Sequence, residues 1–216
     1  QSAAADIDQD GLLDLYSVNL ANMHTQQTGD PGHSKTAGPN QLFRNLGGGQ
    51  FEDITASSGT GDRGWGNAAS FSDVDLDGDV DLYVANDSGD NVLYRNLGNG
   101  RFEDITALSG TLDSGPGMNA SWADADGDGH LDLYVSNIWS RDLWILTDRT
   151  WMMPGIPRIA QVLQHERTRD SIVKFNAGNT LLRNRGDQTF EDVSRASGTY
   201  RTGWSWGAAF FDYDLD

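Results

Sequence analysis

The densest concentration of chemistry in this chain is nine residues long: Asp73-Val74-Asp75-Leu76-Asp77-Gly78-Asp79-Val80-Asp81. Carboxylates stand at loop positions 1, 3, 5 and 9, and a glycine stands at position 6. Oxygen donors at that spacing around a sharp turn suit a hard cation such as calcium, which takes roughly six to eight oxygen ligands. Left empty, carboxylates this close repel one another, and a divalent ion is the natural way to hold them together. The pattern recurs at Asp6-Ile7-Asp8-Gln9-Asp10-Gly11-Leu12-Leu13-Asp14 and at Asp124-Ala125-Asp126-Gly127-Asp128-Gly129-His130-Leu131-Asp132. A fourth copy opens at Asp212-Tyr213-Asp214-Leu215-Asp216.

Other chemistry finds little support. The four histidines, His24, His33, His130 and His165, are scattered, and their spacing argues against a zinc site. No nucleophile motif accompanies them. A catalytic reading would need an acid/base pair from an insertion, such as His165 with Glu166. The glycosylation sequon occurs at Asn86-Asp87-Ser88 and at Asn119-Ala120-Ser121, the latter inside an expected inner strand.

The chain has 216 residues and a formal net charge of −17. Half of its 32 acidic residues fall within the four loop copies, so the acidity is mostly an ion-site property. It argues against nucleic acid or an anionic membrane as partner. There are no cysteines, so nothing but packing and ions can staple the fold. No apolar run is long enough to span a bilayer, and no signal peptide is visible. The amino terminus, Gln1-Ser2-Ala3-Ala4-Ala5-Asp6, enters a loop motif almost at once, as a processed or cut end would.

The elements that must position these loops follow from internal repetition. Each loop runs into a strand-like segment such as Leu82-Tyr83-Val84. Then come Asn40-Gln41-Leu42-Phe43-Arg44-Asn45, Asn91-Val92-Leu93-Tyr94-Arg95-Asn96 and Asn179-Thr180-Leu181-Leu182-Arg183-Asn184. A glycine-bearing turn leads to Phe51-Glu52-Asp53, Phe102-Glu103-Asp104 or Phe190-Glu191-Asp192, then to a Ser-Gly step. A final strand enters the next loop: Trp65 to Phe71, Pro116 to Trp122, and Trp204 to Phe211. The loops start at 6, 73, 124 and 212 and the Asn-x-Leu motifs at 40, 91 and 179, so every change of interval lies between the second and third strands. Four short strands per repeat predict β-propeller blades, an all-β fold of antiparallel four-stranded units: about three repeats plus partial ends over residues 1–216. Insertions 20–39 and 138–178 emerge at one connection and so on one face, where repeat proteins place binding surfaces. The second insertion holds Trp139, Trp144 and Trp151 and part of a short amphipathic helix within 156–173, and is the first candidate contact surface. Trp65, Trp122, Trp204 and Trp206 recur with the blade and are expected in the core.

The wording D-x-D-x-D-G-x-x-D-L-Y-V-x-N followed by N-x-L-[FY]-R-N-x-G-x-G-x-F-E-D-I-T resembles the FG-GAP/VCBS repeat family, closest to its cartilage acidic protein-like, ASPIC/UnbV-associated branch. The resemblance covers nearly all of the chain outside the insertions. It implies a calcium-binding β-propeller of a secreted or cell-surface protein, acting in adhesion and binding. It makes Asp6, Asp8, Asp10 and Asp14 side-chain ligands of Ca2+ with the Leu12 carbonyl. It does the same for Asp73, Asp75, Asp77 and Asp81 with the Asp79 carbonyl, and for Asp124, Asp126, Asp128 and Asp132 with the His130 carbonyl. Asp212, Asp214 and Asp216 open a fourth set whose ninth position is missing. Blade 1 departs from the family at Ala4, where the others carry Phe71, Trp122 and Phe210.

Three repeats do not close a disc, since propellers take roughly four to eight blades. The chain is therefore expected to be a piece of a longer propeller, or to have its ends completed by another copy. Three functions remain open: a calcium-stabilised, non-catalytic module binding protein or glycan on its insertion face; a fibre or sheath subunit assembled by strand complementation; or a glycan-active enzyme. Neither nucleic acid nor a membrane span enters any of them.

Overall fold

A computed structural model describes residues 2–19, 38–87, 89–138, 178–201 and 205–212. Twelve strands form three four-stranded antiparallel sheets among these residues, each a simple meander. Blade 1 comprises β1 (Ala3–Ala5), β2 (Asp14–Ser17), β3 (Gln41–Asn45) and β4 (Phe51–Asp53). Blade 2 comprises β5 (Gly66–Ser72), β6 (Asp81–Asn86), β7 (Val92–Asn96) and β8 (Phe102–Asp104). Blade 3 comprises β9 (Gly117–Ala123), β10 (Asp132–Asn137), β11 (Thr180–Asn184) and β12 (Phe190–Asp192). Each ion loop connects the first and second strands of its blade.

The Ser-Gly step is more structured than its sequence wording suggests. It is a single helical turn after the fourth strand: α1 (Thr55–Ser58), α2 (Thr106–Ser109) and α3 (Ser194–Ser197). Asp53, Asp104 and Asp192 each accept, on Oδ1, the backbone N–H two residues on, at 3.0, 3.0 and 2.9 Å. This local side-chain bond opens the turn. Gly59, Gly110 and Gly198, at φ of 84°, 75° and 77°, close it in the left-handed conformation that suits glycine.

Side-chain alternation in β6 sends successive residues into two different cores. Leu82 and Val84 pack with Ile7, Tyr16, Leu42, Val92 and Phe102 in the seam between blades 1 and 2. Tyr83 and Ala85 pack with Leu93, Leu133, Val135, Leu182 and Phe190 in the seam between blades 2 and 3. All six residues of β6 are buried. The hydrophobic cores therefore lie between sheets, and each aliphatic or aromatic side chain there contributes about 1.5–3 kcal/mol by burial. Trp122 stands edge-on to Tyr83 with ring centroids 6.2 Å apart and the same distance from Phe190.

The length-variable connection is closed in the same way in every blade, the Asn before it donating its Nδ2 to the Pro39, Asp90 or Gly178 carbonyl at the far end. Asn40, Asn91 and Asn179 accept, on Oδ1, the backbone N–H of Asn19, Asn86 and Asn137 at 2.7, 2.7 and 2.9 Å, across separations of 21, 5 and 42 residues. Closure entropy grows only slowly with loop length, so one clamp serves all three. The insertions themselves, and with them Trp139, Trp144, Trp151, His165 and Glu166, lie outside the described residues.

Two expectations are corrected. The strand expected from Trp204 to Phe211 is not formed in its described part, Ser205 to Phe211. In blades 2 and 3 the first strand is held by the second strand after the ion loop, and among the described residues no such strand stands beside 205–212. The segment instead lies against blade 3. Ser121 Oγ donates to the Ala208 carbonyl at 2.6 Å, and Phe210 stands edge-on to Tyr134 at 6.1 Å. Trp206, expected in the core, is 71% exposed.

Candidate metal centre

The three complete loops share one hydrogen-bond plan. The position-1 carboxylate folds the loop over itself. Asp6 accepts the N–H of Asp10 and Gly11 at 3.1 and 2.9 Å, Asp73 those of Asp77 and Gly78 at 3.2 and 3.0 Å, and Asp124 those of Asp128 and Gly129 at 3.0 and 2.9 Å. The position-5 carboxylates, Asp10, Asp77 and Asp128, each accept the N–H of position 7 at 2.8–2.9 Å. Position 6 is left-handed in every loop, with Gly11, Gly78 and Gly129 at φ of 87°, 95° and 90°. The turn thus needs its glycine for conformation, not for space.

The position-9 carboxylate joins the loop to the sheet. Asp14 accepts Ile7 N–H and Asn45 N–H at 3.0 and 2.7 Å, Asp81 accepts Val74 and Asn96 at 3.0 and 2.8 Å, and Asp132 accepts Ala125 and Asn184 at 3.0 and 2.8 Å. All three are buried at 2% exposure or less. Each oxygen keeps a second lone pair for another partner.

What remains is a convergence of oxygens. One carboxylate oxygen from each of Asp6, Asp8 and Asp10 lies within 4.8 Å of the others, and the same holds for Asp73, Asp75 and Asp81 and for Asp124, Asp126 and Asp128. Asp14, Asp77 and Asp132 stand outside these trios. Loop 2 uses its ninth position where loops 1 and 3 use their fifth. At position 3, Asp8 Oδ1 and Asp75 Oδ1 are buried with no hydrogen-bond partner. An unpaired buried carboxylate oxygen is costly, and a cation is the ligand that would satisfy it.

The electrostatics agree. Burial, followed by the charges of Asp10 and Asp14, raises the Asp8 pKa. Burial and then Asp77 raise that of Asp75. Burial pushes Asp81 up to about 7 against the two N–H bonds that oppose it, and raises Asp132 likewise. Each shift marks a carboxylate made uncomfortable as an anion, the condition a divalent ion reverses.

Of the remaining expected residues, the side chain of Leu12 borders Gly47, that of Asp79 accepts from Gln9 at 2.8 Å, and the His130 ring lies over Gly186. A Cβ at Gly186 would come within 2.4 Å of His130 Nε2. In the fourth set only Asp212 is described, and Asp214 and Asp216 lie outside the described residues. The sequon at Asn86 is also decided by geometry. Its Nδ2 is taken by Asp62 Oδ2 at 2.9 Å and the Asp90 carbonyl at 2.7 Å, and the residue is fully buried.

The loops are also bound across the seams, which the sequence did not announce. Asn96 Nδ2 donates to the Ile7 carbonyl at 3.0 Å, and Asn184 Nδ2 to the Val74 carbonyl at 2.9 Å. The last Asn of the third strand in blades 2 and 3 therefore holds position 2 of the preceding blade's loop. Its recurrence in N-x-L-x-R-N was the available signal.

A repeated four-stranded blade with an aspartate loop between its first two strands defines a class, the acidic-loop β-propellers. A profile described as FG-GAP-like repeat matches residues 6–84 and 73–135, and the chain belongs to this family. Cartilage acidic protein 1 of Homo sapiens is 31% identical over 148 residues, covering 67% of this chain and 21% of that protein. The Mus musculus protein of the same name gives the same identity and coverage. The Xenopus tropicalis one is 35% identical over 105 residues, covering 47% of this chain and 16% of its own length. The chain spans about a fifth of the length of the curated relatives it matches. Among the described residues no helix is long and apolar enough to cross a membrane.

Proposed function

We propose that the chain is a calcium-stabilised, non-catalytic binding module of a secreted or cell-surface protein, taking a protein or glycan ligand on its insertion face. The observation that supports it best is the buried, unpartnered oxygen of Asp8 and of Asp75 within converging carboxylates. Asp6, Asp8 and Asp10 would hold one ion, Asp73, Asp75 and Asp81 a second, and Asp124, Asp126 and Asp128 a third. When bound, the ion supplies positive charge and coordination, and no chemistry on a substrate is asked of it. Its role is to lock each loop in the shape that presents position 2 to the seam. Repetition of the site at equivalent blade positions supports a structural role over a ligand-bridging one.

The test is thermal unfolding of the 216-residue chain in chelator and in calcium. An ion at a hundred times its dissociation constant adds about 2.7 kcal/mol per site. Three sites together would rival the roughly 5–15 kcal/mol stability of an ordinary domain. A melting temperature indifferent to calcium would end the proposal.

A second reading is favoured by residues 205–212. They lie against blade 3 outside any described strand and leave Trp206 and Phe211 exposed. If a second copy packs on this exposed segment, the chain is a fibre or sheath subunit. Its particle mass would then be a large multiple of 23.5 kDa that falls on truncation before residue 202.

A further inference from the structure

The three loops are not equivalent in what surrounds them. Loop 2 alone, among the described residues, receives glutamine side chains from both neighbouring blades. From loop 1, Gln9 Nε2 donates to the Gly78 carbonyl at 3.1 Å and to Asp79 Oδ1 at 2.8 Å. From the β11–β12 turn of blade 3, Gln188 Nε2 donates to Asp75 Oδ2 at 3.2 Å, while its Oε1 accepts from Arg95 Nη1 at 2.8 Å. Gln188 thereby occupies one oxygen of Asp75 and leaves the other, the buried and unpartnered Oδ1, for an ion.

Both glutamines sit where a side chain is costly. Gln9 and Gln188 have φ of 60° and 66°, in the left-handed region that β-carbon sterics disfavour. The equivalent of Gln188 in blades 1 and 2 is glycine, Gly49 and Gly100, at φ of 79° and 68°. The equivalent of Gln9 in loop 3 is Gly127, at φ 76°. In loop 2 it is Leu76, left-handed too at φ 60°, whose exposed side chain has nothing to donate. Only at the Gln188 position do the other blades both use glycine, and strain that persists there points to a functional return, the bridge to Asp75. Gln9 enters on its two hydrogen bonds alone.

We infer that Gln9 and Gln188 are positioning residues that make loop 2 the tightest of the three cation sites and tie its occupancy to the docking of blades 1 and 3 on either side of blade 2. The inference rests on the calcium reading above. Gln188 fixes the rotation of Asp75, and Gln9 fixes the peptide that precedes the position-7 carbonyl. Held donors lose less freedom on binding an ion, and partners that orient a metal ligand are typically worth about 10- to 100-fold in affinity. Among the described residues no glutamine reaches a loop 1 carboxylate: Gly100 stands at the Gln188 position in blade 2, and Asn96 reaches only the Ile7 carbonyl. Loop 3, with Asp124, Asp126 and Asp128 all exposed, has none among the described residues.

Calcium titration of the full chain by calorimetry tests this. The expected isotherm has one tight phase and weaker sites. Asp75→Asn should abolish the tight phase, whereas Asp8→Asn and Asp126→Asn should leave it. Gln188→Gly and Gln9→Gly put into each turn the residue its backbone prefers, so the fold is kept and strain is relieved. Each should weaken the tight phase about 10-fold or more without moving the others. Three equal phases, or a tight phase that both variants leave untouched, would overturn the inference while the calcium reading stands. A chain that binds no calcium would overturn both.

Discussion

Asp81 shows what a single carboxylate contributes. It is buried at 1% exposure and accepts two backbone N–H groups, and burial, which opposes its charge, pushes its pKa up to about 7. A group whose folded pKa lies above its ordinary 3.8 stabilises the fold below that ordinary value, and the contribution fades as pH rises through 7. The chelated protein should therefore lose stability from Asp81 between about pH 4 and pH 7. Calcium must displace the same proton, so its affinity for loop 2 should fall up to about tenfold per pH unit below 7. Melting curves with and without calcium from pH 5 to 8 should diverge as pH rises, and parallel curves would refute the assignment of Asp81 to an ion. Asn86 gives an independent prediction at the same scale. Its amide is engaged within a buried clamp, so peptide mapping of the folded protein exposed to an oligosaccharyl transferase should find it unmodified.

At the scale of the element, the loop and the third strand of the next blade form one unit. Asn184 is the clearest case. Its Nδ2 binds the carbonyls of Val74 and Leu131 at 2.9 and 3.2 Å, and its Oδ1 accepts Gly186 N–H at 3.0 Å. Asn184→Ala would strand the buried Val74 carbonyl, at about 1–3 kcal/mol, and release the part-buried Leu131 carbonyl and Gly186 amide at a smaller cost. Urea unfolding should show a loss of at least about 1 kcal/mol, and a loss under about 0.5 kcal/mol would show that the seam does not depend on this bridge. Arg44–Glu52, Arg95–Glu103 and Arg183–Glu191 recur as regularly but lie at the surface, where such pairs contribute little. How much of this was legible in sequence follows from what repeats. The loops, the four strands and the N-x-L motifs recur in one order, with constant spacing everywhere but at one connection, and that recurrence exposes them. Gln9 and Gln188 each occur in only one blade, and their bridges join residues 70 and 113 apart in sequence. No local pattern carries that information. The strand expected at Trp204–Phe211 erred for a related reason. A strand needs a neighbour, and the segment's likeness to Trp65–Phe71 and Pro116–Trp122, on which the expectation rested, does not show whether one is there.

On the scale of the whole molecule, net charge and seams set the behaviour. A chain at −17 repels itself, and its ion sites hold much of the acid. In chelator, adding monovalent salt from 10 to 500 mM should raise the melting temperature by screening. Saturating calcium should flatten that dependence, and a salt response unchanged by calcium would place the repulsion outside the loops. The seams carry a further consequence for how such chains can be cut and joined. Because Leu82 and Val84 serve one neighbour while Tyr83 and Ala85 serve the other, a sheet removed at its strand ends takes half of two cores with it. Moving the cut does not help, because β5, β6 and β7 each alternate between the two cores: Ala68, Tyr83 and Leu93 face one, and Ala69, Leu82 and Val92 the other. A duplication or chimaera must therefore re-create a seam with each neighbour, whichever boundary it uses.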